Sequence, residues 1–366
     1  MLGQVASKIS APYAATLISG ASEIKELAIR AGPLLAERPS TCHPEFYLAS
    51  VSEKYWAPRT VQVTCDQRVV GIVYAKERLL AGRPTGIIYA DGILGMHLIA
   101  EPAHREKVLS EAISCLLGPG RARALRLLIR QDGFEHKTIS RIASSMEVEM
   151  ASIQIQKHSR LALPSSYEDF LNSLGARTRR NFRYYRRRFE ARGHHFVGRV
   201  PFESFCAAAW QLRKKSAIDA DASAIRRSLN MLSAVSERVL VGLQAPDGKW
   251  LSIAGGWCEN STATLLFQMN NDREYQGDSI SQVLRSYLVE ELIASGIHDL
   301  IFWSGTSAPL ARYTRGIPAV AVYLDSPAAS WRLFRMLVAS VAFRLPRRLM
   351  KFGMWITPLR EYSNFD

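Results

Sequence analysis

Two long alternating stretches, "RTVQVTCDQRVVGIVYAKERLL" (59–80) and "VLVGLQAPDGKWLSIAGGWCEN" (239–260), constrain the fold of this chain more than any other feature. Each carries β-branched residues at alternate positions and reverses in its middle, through "CDQR" in the first and Asp247-Gly248 in the second. Period-two alternation lays one face of a strand on a core, and Asp-Gly between two such runs is a strong short-range hairpin signal. The segments after the two hairpins are also alike. "PTGIIYADGILG" and "STATLLFQMNN" read as third strands, and amphipathic helices succeed them at about 102–117 and 279–296. Then come "ALRLLIRQ" and "HDLIFWSG" as strands, short helices near 137–146 and in "APLARYTRG", and closing strands "MASIQIQKH" and "PAVAVYLD". Both halves run β-β-β-α-β-α-β, a fold-level duplication with little direct identity between the copies.

With 366 residues, the chain exceeds what one hydrophobic core usually supports. The reading divides it into a helical lead over 1–40, a first domain over 41–160, a second over 161–326 and a basic tail over 327–366. Helical periodicity marks 20–37, and helices at about 166–192, 201–217 and 223–237 precede the second hairpin. A hydrophobic content of 48% with 22% charged residues is a globular composition, neither disordered nor membrane-spanning. Five scattered cysteines without metal-ligand spacing argue against a disulfide framework and a zinc site, so a reducing cytoplasm is expected.

Charge is concentrated. Residues 177–199 hold nine arginines and one glutamate, and 331–352 hold six cations and no acid; together these account for the whole net charge of +14. In the first stretch Arg179, Arg183, Arg186 and Arg187 recur at helical spacing as one stripe, widened by Arg177, Arg180 and Arg188, while Phe182, Tyr185 and Phe189 form an apolar one. So many like charges on one face repel, and a phosphate-bearing partner relieves that repulsion through arginine's planar fork. Candidates are the phosphates of a cofactor or an anionic acceptor, the backbone of a tRNA, and anionic lipid. In the tail, Leu333, Phe334, Leu337, Val338, Val341 and Leu345 share a helix face opposite Arg332 and Arg335. That pattern fits a helix lying on an anionic membrane at its inner face, and equally one docked on the protein body.

This order of elements resembles the GNAT acyltransferase superfamily, an α/β fold with a mixed sheet, here as tandem domains plus the basic C-terminal helix. "YEDFLNSLGARTRRNFRYYRRRFEARG" is similar to the entry helices of its CelD-like, cellulose-biosynthesis type acetyltransferase branch, and "REYQGDSISQVLRSYLVEELIASG" to the segment where a strand gives way to the cofactor-facing helix. "TSAPLARYTRGI" (306–317) resembles N-x-x-A-x-x-x-Y-x-x-x-G-F, with Tyr313 and Gly316 in approximate place. In that motif Thr306 replaces the Asn, Ile317 replaces the Phe and the Tyr-to-Gly spacing is one residue short; in addition, of R/Q-x-x-G-x-G/A the chain keeps Gly277, and Ile301, Phe302 and Trp303 stand where the branch often has an acid.

The resemblance implies acyl transfer from acetyl-CoA or another acyl-CoA to an amine or hydroxyl of a sugar, polysaccharide or cell-envelope precursor. The reaction needs a phosphate cradle, a base and an acid. Gly277, Asp278, Ser279, Ile280 and Ser281 open a helix whose free N–H groups suit a pyrophosphate, although Asp278 or Ser279 also reads as a plain cap. Asp272 is the favoured base, with Glu259 and Glu274 as alternatives; Tyr313 is the favoured acid, with Tyr275 in reserve. Arg179, Arg183, Arg186 and Arg187 are the expected phosphate or substrate contacts, and no residue is expected to hold a metal. Two other readings remain. Fem-type transferases share the tandem fold and take tRNA-borne donors, and a degenerate copy would serve as a membrane-surface or assembly protein.

Overall fold

The computed structural model describes residues 13–325, apart from 52–54, 92, 93, 95, 96, 119–121, 132, 217–220, 276 and 304. The expected basic helix of the tail lies outside the described residues. The first half comprises β1 (Tyr13–Ile18), α1 (Ala21–Arg30), α2 (Gly32–Leu35), α3 (Pro44–Ser50), β2 (Trp56–Cys65), β3 (Arg68–Leu80), β4 (Arg83–Asp91), β5 (Leu98–Ala100), α4 (Arg105–Leu117), β6 (Ala124–Arg130), α5 (Phe134–Ser145) and β7 (Glu149–Ala162). The second comprises α6 (Tyr167–Ser173), α7 (Ala176–Ala191), β8 (His195–Val197), α8 (Phe202–Arg213), α9 (Ala222–Ser233), β9 (Arg238–Gln244), β10 (Trp250–Glu259), β11 (Thr262–Asn270), α10 (Ile280–Ala294), β12 (Asp299–Phe302) and β13 (Arg315–Asp325). A single 3-10 turn, Leu310–Tyr313, stands where the second half's short helix was expected.

Both hairpins form where the sequence places them. Asp66 and Gln67 take positive φ of 50° and 64°, the two-residue turn whose twist suits adjoining strands. Gly248, at φ 79°, supplies the left-handed residue of the other turn, and Asp247 accepts the Lys249 N–H. Two expected helices are broken. The one over 20–37 divides at Ala31, after which α2 starts at Gly32 with Pro33 in its first turn, and the one over 166–192 divides at Leu174 and Gly175. The lead is also not wholly helical: "YAATLI" forms β1, which pairs antiparallel with β2 from Tyr13↔Cys65 to Ile18↔Thr60, because its alternating side chains suit a half-buried edge strand.

The strands form one sheet in the order β1-β2-β3-β4-β6-β13-β7-β12-β11-β10-β9-β8, with β5 on β3. The halves are not side by side in it. The closing strand of the second half, β13, lies between β6 and β7, and the closing strand of the first, β7, lies between β13 and β12. β13 pairs antiparallel with β6 over Ala319↔Arg130 to Asp325↔Ala124 and with β7 over Arg315↔Arg160 to Asp325↔Glu149. The other edge of β7 pairs with β12 from Asp299↔Ala162 to Phe302↔Ser159, where the Arg160 guanidinium grips both oxygens of the Asp299 carboxylate. Each half therefore completes its sheet with a strand from the other.

Separate cores line the sheet. Val108, Leu109, Ala112 and Ile113 of α4 pack on β2, β3 and β6 with Ile139 and Ile142 of α5. Phe170, Phe182, Phe189, Leu284 and Leu288 bring α6, α7 and α10 onto the second half of the sheet. Phe205, Leu212, Leu229 and Trp257 join α8 and α9 to the opposite face. Gly256 marks a bulge where β10 presses on β11; a Cβ there would come within 2.0 Å of the Thr264 carbonyl oxygen.

The exchange makes neither half self-sufficient. Residues 1–164 produced alone are expected to aggregate, because β6 and β7 lose the strand between them; co-production with 165–366 is expected to restore a soluble complex. A soluble first half with a cooperative unfolding transition in circular dichroism would contradict the interlock.

Candidate functional site

The site originates in a short strand. β11 and β12 are parallel neighbours for four residue pairs, Thr262↔Asp299 to Leu265↔Phe302, and then separate. β12 ends at Phe302; the Trp303 N–H still donates to the Leu265 carbonyl at 3.0 Å, and Gly305, at φ 80°, redirects the chain. Beyond Leu265 the strand β11 keeps its partner β10 on one edge only. A cavity of about 780 Å³ opens along the freed edge. Leu266, Phe267, Gln268 and Met269 form one wall, Trp303, Thr306 and Ser307 the facing one, and Ile225 and Ser228 of α9 also line it.

Two polar side chains enter this space from other elements. His158, on the exchanged strand β7, is buried with its ring against Trp303 at 5.0 Å between centroids, and Trp303 in turn meets Trp257 edge-on at 5.6 Å. Arg285, on α10, donates from Nε to Oε1 of Gln268 at 2.9 Å. The Gln268 amide cannot turn: its Nε2 donates to Asn270 Oδ1 at 3.0 Å and to Ser281 Oγ at 3.1 Å, and Ser252 Oγ holds the same Asn270 oxygen at 2.6 Å. Burial pushes the Arg285 guanidinium down to about 10, which leaves it charged at neutral pH.

The residues singled out in the sequence are distributed around this cavity rather than inside it. Gly277 takes φ 83° and Ser279 φ 49°, so the chain enters α10 through two left-handed residues; Ile280 is buried, and Ser281, through Gln268, is tied to the cavity wall. The first N–H groups of α10 lack intrahelical partners by position. Asp278 stands in front of them, its carboxylate bound by Arg188 at 3.0 Å and Arg192 at 2.6 Å. The last turn of the arginine helix and the N-terminus of α10 thus meet. Asp272 lies in the turn after β11, outside the cavity lining. Beside it Glu274 pairs with Lys215 at 2.6 Å, which holds its carboxyl below the usual range.

Glu259 lies at the far end of β10, beside Thr262 rather than beside the freed edge of β11, and accepts from Thr41 Oγ1 at 2.5 Å. Burial raises its pKa. Tyr313 turns toward α7: its hydroxyl accepts the Gly175 N–H at 2.8 Å and donates to Thr178 Oγ1 at 3.4 Å, contacts that lower its pKa. The phenol thereby caps the arginine helix, while its neighbours Ala311 and Thr314 face the cavity. Tyr275 packs edge-on to His194.

The arginine stripe divides by partner. Arg186 turns inward, bonds Glu290 at 2.6 Å and Glu190 at 3.2 Å, and lies 3.9 Å over the Tyr287 ring. Arg183 pairs with Glu168 at 2.5 Å and Arg179 with the Asn172 side chain at 3.2 Å. Arg179, Arg180, Arg183 and Arg187 share an open ledge with Tyr184. Helical periodicity alone predicted one uniform stripe; the acids that turn Arg186 inward come partly from α10, far away in sequence. His158, Gln268 and Arg285 carried no sequence motif, and only the strand exchange and the splay bring them together.

No family model and no curated protein matches the chain. Among solved structures it is similar to the C-terminal domain of a putative lysylphosphatidylglycerol synthetase from Agrobacterium fabrum, with a TM-score of 0.54 at 12% identity over 87% of this chain and 95% of that one. It is also similar to FemX, with a TM-score of 0.53 at 10% identity over 84% and 96%, and to L-PGS from Bacillus licheniformis, with a TM-score of 0.52 at 10% identity over 87% and 97%. At these identities the likeness concerns the fold, which is the tandem GNAT-like one. No helix among the described residues is long and apolar enough to cross a membrane.

Two substitutions test the placements of Tyr313 and Glu259. Tyr313→Phe strips the Gly175 N–H of its acceptor and is expected to cost about 1 kcal/mol in urea unfolding; unchanged stability would mean that the capping bond contributes nothing. The raised pKa of Glu259 means that the fold favours its neutral form. That contribution is complete below the ordinary carboxylate pKa of about 4.3 and is lost as pH rises through the folded value. Glu259→Gln should therefore remove a decline in unfolding midpoint that the native chain shows on going upward from about pH 4; parallel pH profiles for the two proteins would contradict this.

Proposed function

We propose that this protein transfers an acyl group from a coenzyme A thioester to an amine or hydroxyl acceptor in the cavity between β11 and β12, the acceptor belonging to a sugar or cell-envelope precursor. The observation that carries the reading is the freed edge of β11. From Leu266 onward its backbone groups on that side face the cavity instead of another strand, and a pantetheine arm, which carries two amides, can pair with them as a strand would.

The phosphate end has a receiver as well. The N-terminus of α10 offers free N–H groups and the positive end of a helix dipole. Arg188 and Arg192, now bound to Asp278, are positioned to take a pyrophosphate in its place. The thioester supplies the activated acyl carbon. His158 is the imidazole that lines the cavity among the described residues, and it accepts the proton of the attacking amine or hydroxyl. As the C–N or C–O bond forms and the C–S bond breaks, the imidazolium or water returns a proton to the departing thiolate. Trp303, packed on the His158 ring, fixes its position.

A second reading takes the acyl group from an aminoacyl-tRNA. The ledge of Arg179, Arg180, Arg183 and Arg187 supports it, since side chains exposed on one helix face suit a phosphate backbone. In the first reading, acetyl-CoA binds and thiol release depends on an added amine or hydroxyl acceptor, with kcat about 10²- to 10⁴-fold lower in His158→Ala. In the second, acetyl-CoA gives no heat of binding, and tRNA binds with a steep salt dependence that Arg179→Gln, Arg183→Gln and Arg187→Gln together abolish. Absence of both would leave the fold without a transferase role, and full turnover in a folded His158→Ala would remove the histidine from the mechanism.

A further inference from the structure

No acid among the described residues neutralises the charge of Arg285. Its Nε is committed to Gln268, its guanidinium carbon lies 5.6 Å from the centre of the Phe302 ring, and no described residue bonds its terminal nitrogens. None of the described cavity-lining residues is an aspartate or a glutamate, and Arg285 is the one lysine or arginine among them. Arg186, another partly buried guanidinium of this half, shows the contrast: Glu290 and Glu190 both meet it. Half-buried at the cavity wall, with Phe302 against it and no described acid paired with it, this guanidinium gives up part of its hydration without a protein counter-ion, a cost that a ligand of opposite sign offsets.

We infer that the cavity binds an acceptor bearing a carboxylate, which pairs end-on with the terminal nitrogens of Arg285. The inference deepens the acyl-transfer reading, on which the word acceptor rests. Three features select a carboxylate. The two terminal nitrogens match its two oxygens in a bidentate pair, and the Gln268 clamp holds the guanidinium plane fixed, so little side-chain freedom is lost on binding. One positive charge balances one negative charge, whereas a phosphate dianion would keep an uncompensated charge in a space whose described lining holds no second lysine or arginine. The hydroxyls of Ser228, Thr306 and Ser307, facing Phe267 and Ile225, suit the body of an amino acid or a uronic acid. The carboxylate fixes the acceptor at Arg285 while its amine or hydroxyl reaches toward the acyl carbon.

The test uses the full chain labelled with ¹⁵N, in which the Arg285 Nε–H resonance is assigned by its loss in Arg285→Lys. Sodium acetate, a fragment common to all carboxylate acceptors, is titrated at constant ionic strength against inorganic phosphate and chloride. Acetate is expected to move this resonance saturably, with phosphate about tenfold weaker and chloride without effect, while the resonance of the exposed Arg30, on α1, shifts in none of them. Arg285→Met, which keeps the stem and removes the charge, is expected to stay folded and to lose the acetate-induced rise in melting temperature. A resonance indifferent to acetate, or one moved at least as strongly by phosphate, would overturn the carboxylate site. Acetate binding in a chain that ignores acetyl-CoA would leave the anion site standing and remove the donor; turnover with acetyl-CoA and no acetate response would do the reverse.

Discussion

The interlock of β7 and β13 is the contact on which the rest depends. These closing strands pair with each other from Arg315↔Arg160 to Asp325↔Glu149, and each then pairs with a strand of the opposite half. One consequence is a continuous sheet with its cores on both faces. The other is chemical: β7 brings His158 from the first copy to the wall of a cavity whose remaining sides belong to the second. A duplicated fold assembled side by side, without exchange, would have left that histidine against its own half.

The arginine helix shows how one element holds several others. Phe182 and Phe189 bury its apolar face, and apolar burial of that size supplies the main driving force for docking. Its polar groups then set the arrangement: Gly175 meets Tyr313, Arg186 meets Glu290, and Arg188 with Arg192 meets Asp278. The 3-10 turn, the middle of α10 and its N-terminus are thereby tied to one helix, and these are the pieces that border the cavity. Arg183 and Arg179 meet Glu168 and Asn172 at the surface and share an open ledge with Arg180 and Arg187, which is why the helix has both a structural face and an open cationic one.

The elements were legible because their signals are local. Asp247-Gly248, the alternation through 59–80 and the run from Ser279 to Gly296 each depend on residues within one strand or one turn of helix, and each forms at its expected place. β1 was missed because six half-buried residues beside a helical run give a weak alternation. The site was legible in part. The start of α10 and the arginine helix each read as suited to phosphate, and Asp278 joins them, whereas Asp272, Glu259 and Tyr313 are singled out by position along the chain: Asp272 lies in a turn, Glu259 meets Thr41 and Tyr313 meets the start of the arginine helix. An acid at a strand end carries no mark of which neighbour it will face.

By itself the sequence determined the order of the main strands and long helices in the two halves, their hairpin turns, the amphipathic face of the arginine helix and the concentration of positive charge, since periodicity and turn chemistry act between near neighbours in the chain. Only the tertiary structure decided that the copies exchange their last strands, that β11 and β12 part after Leu265, and that His158, Gln268 and Arg285 converge there. Those outcomes depend on backbone hydrogen bonds and packing between segments far apart in sequence, and such bonds are the same for every residue type, so no motif records which strand will take which neighbour.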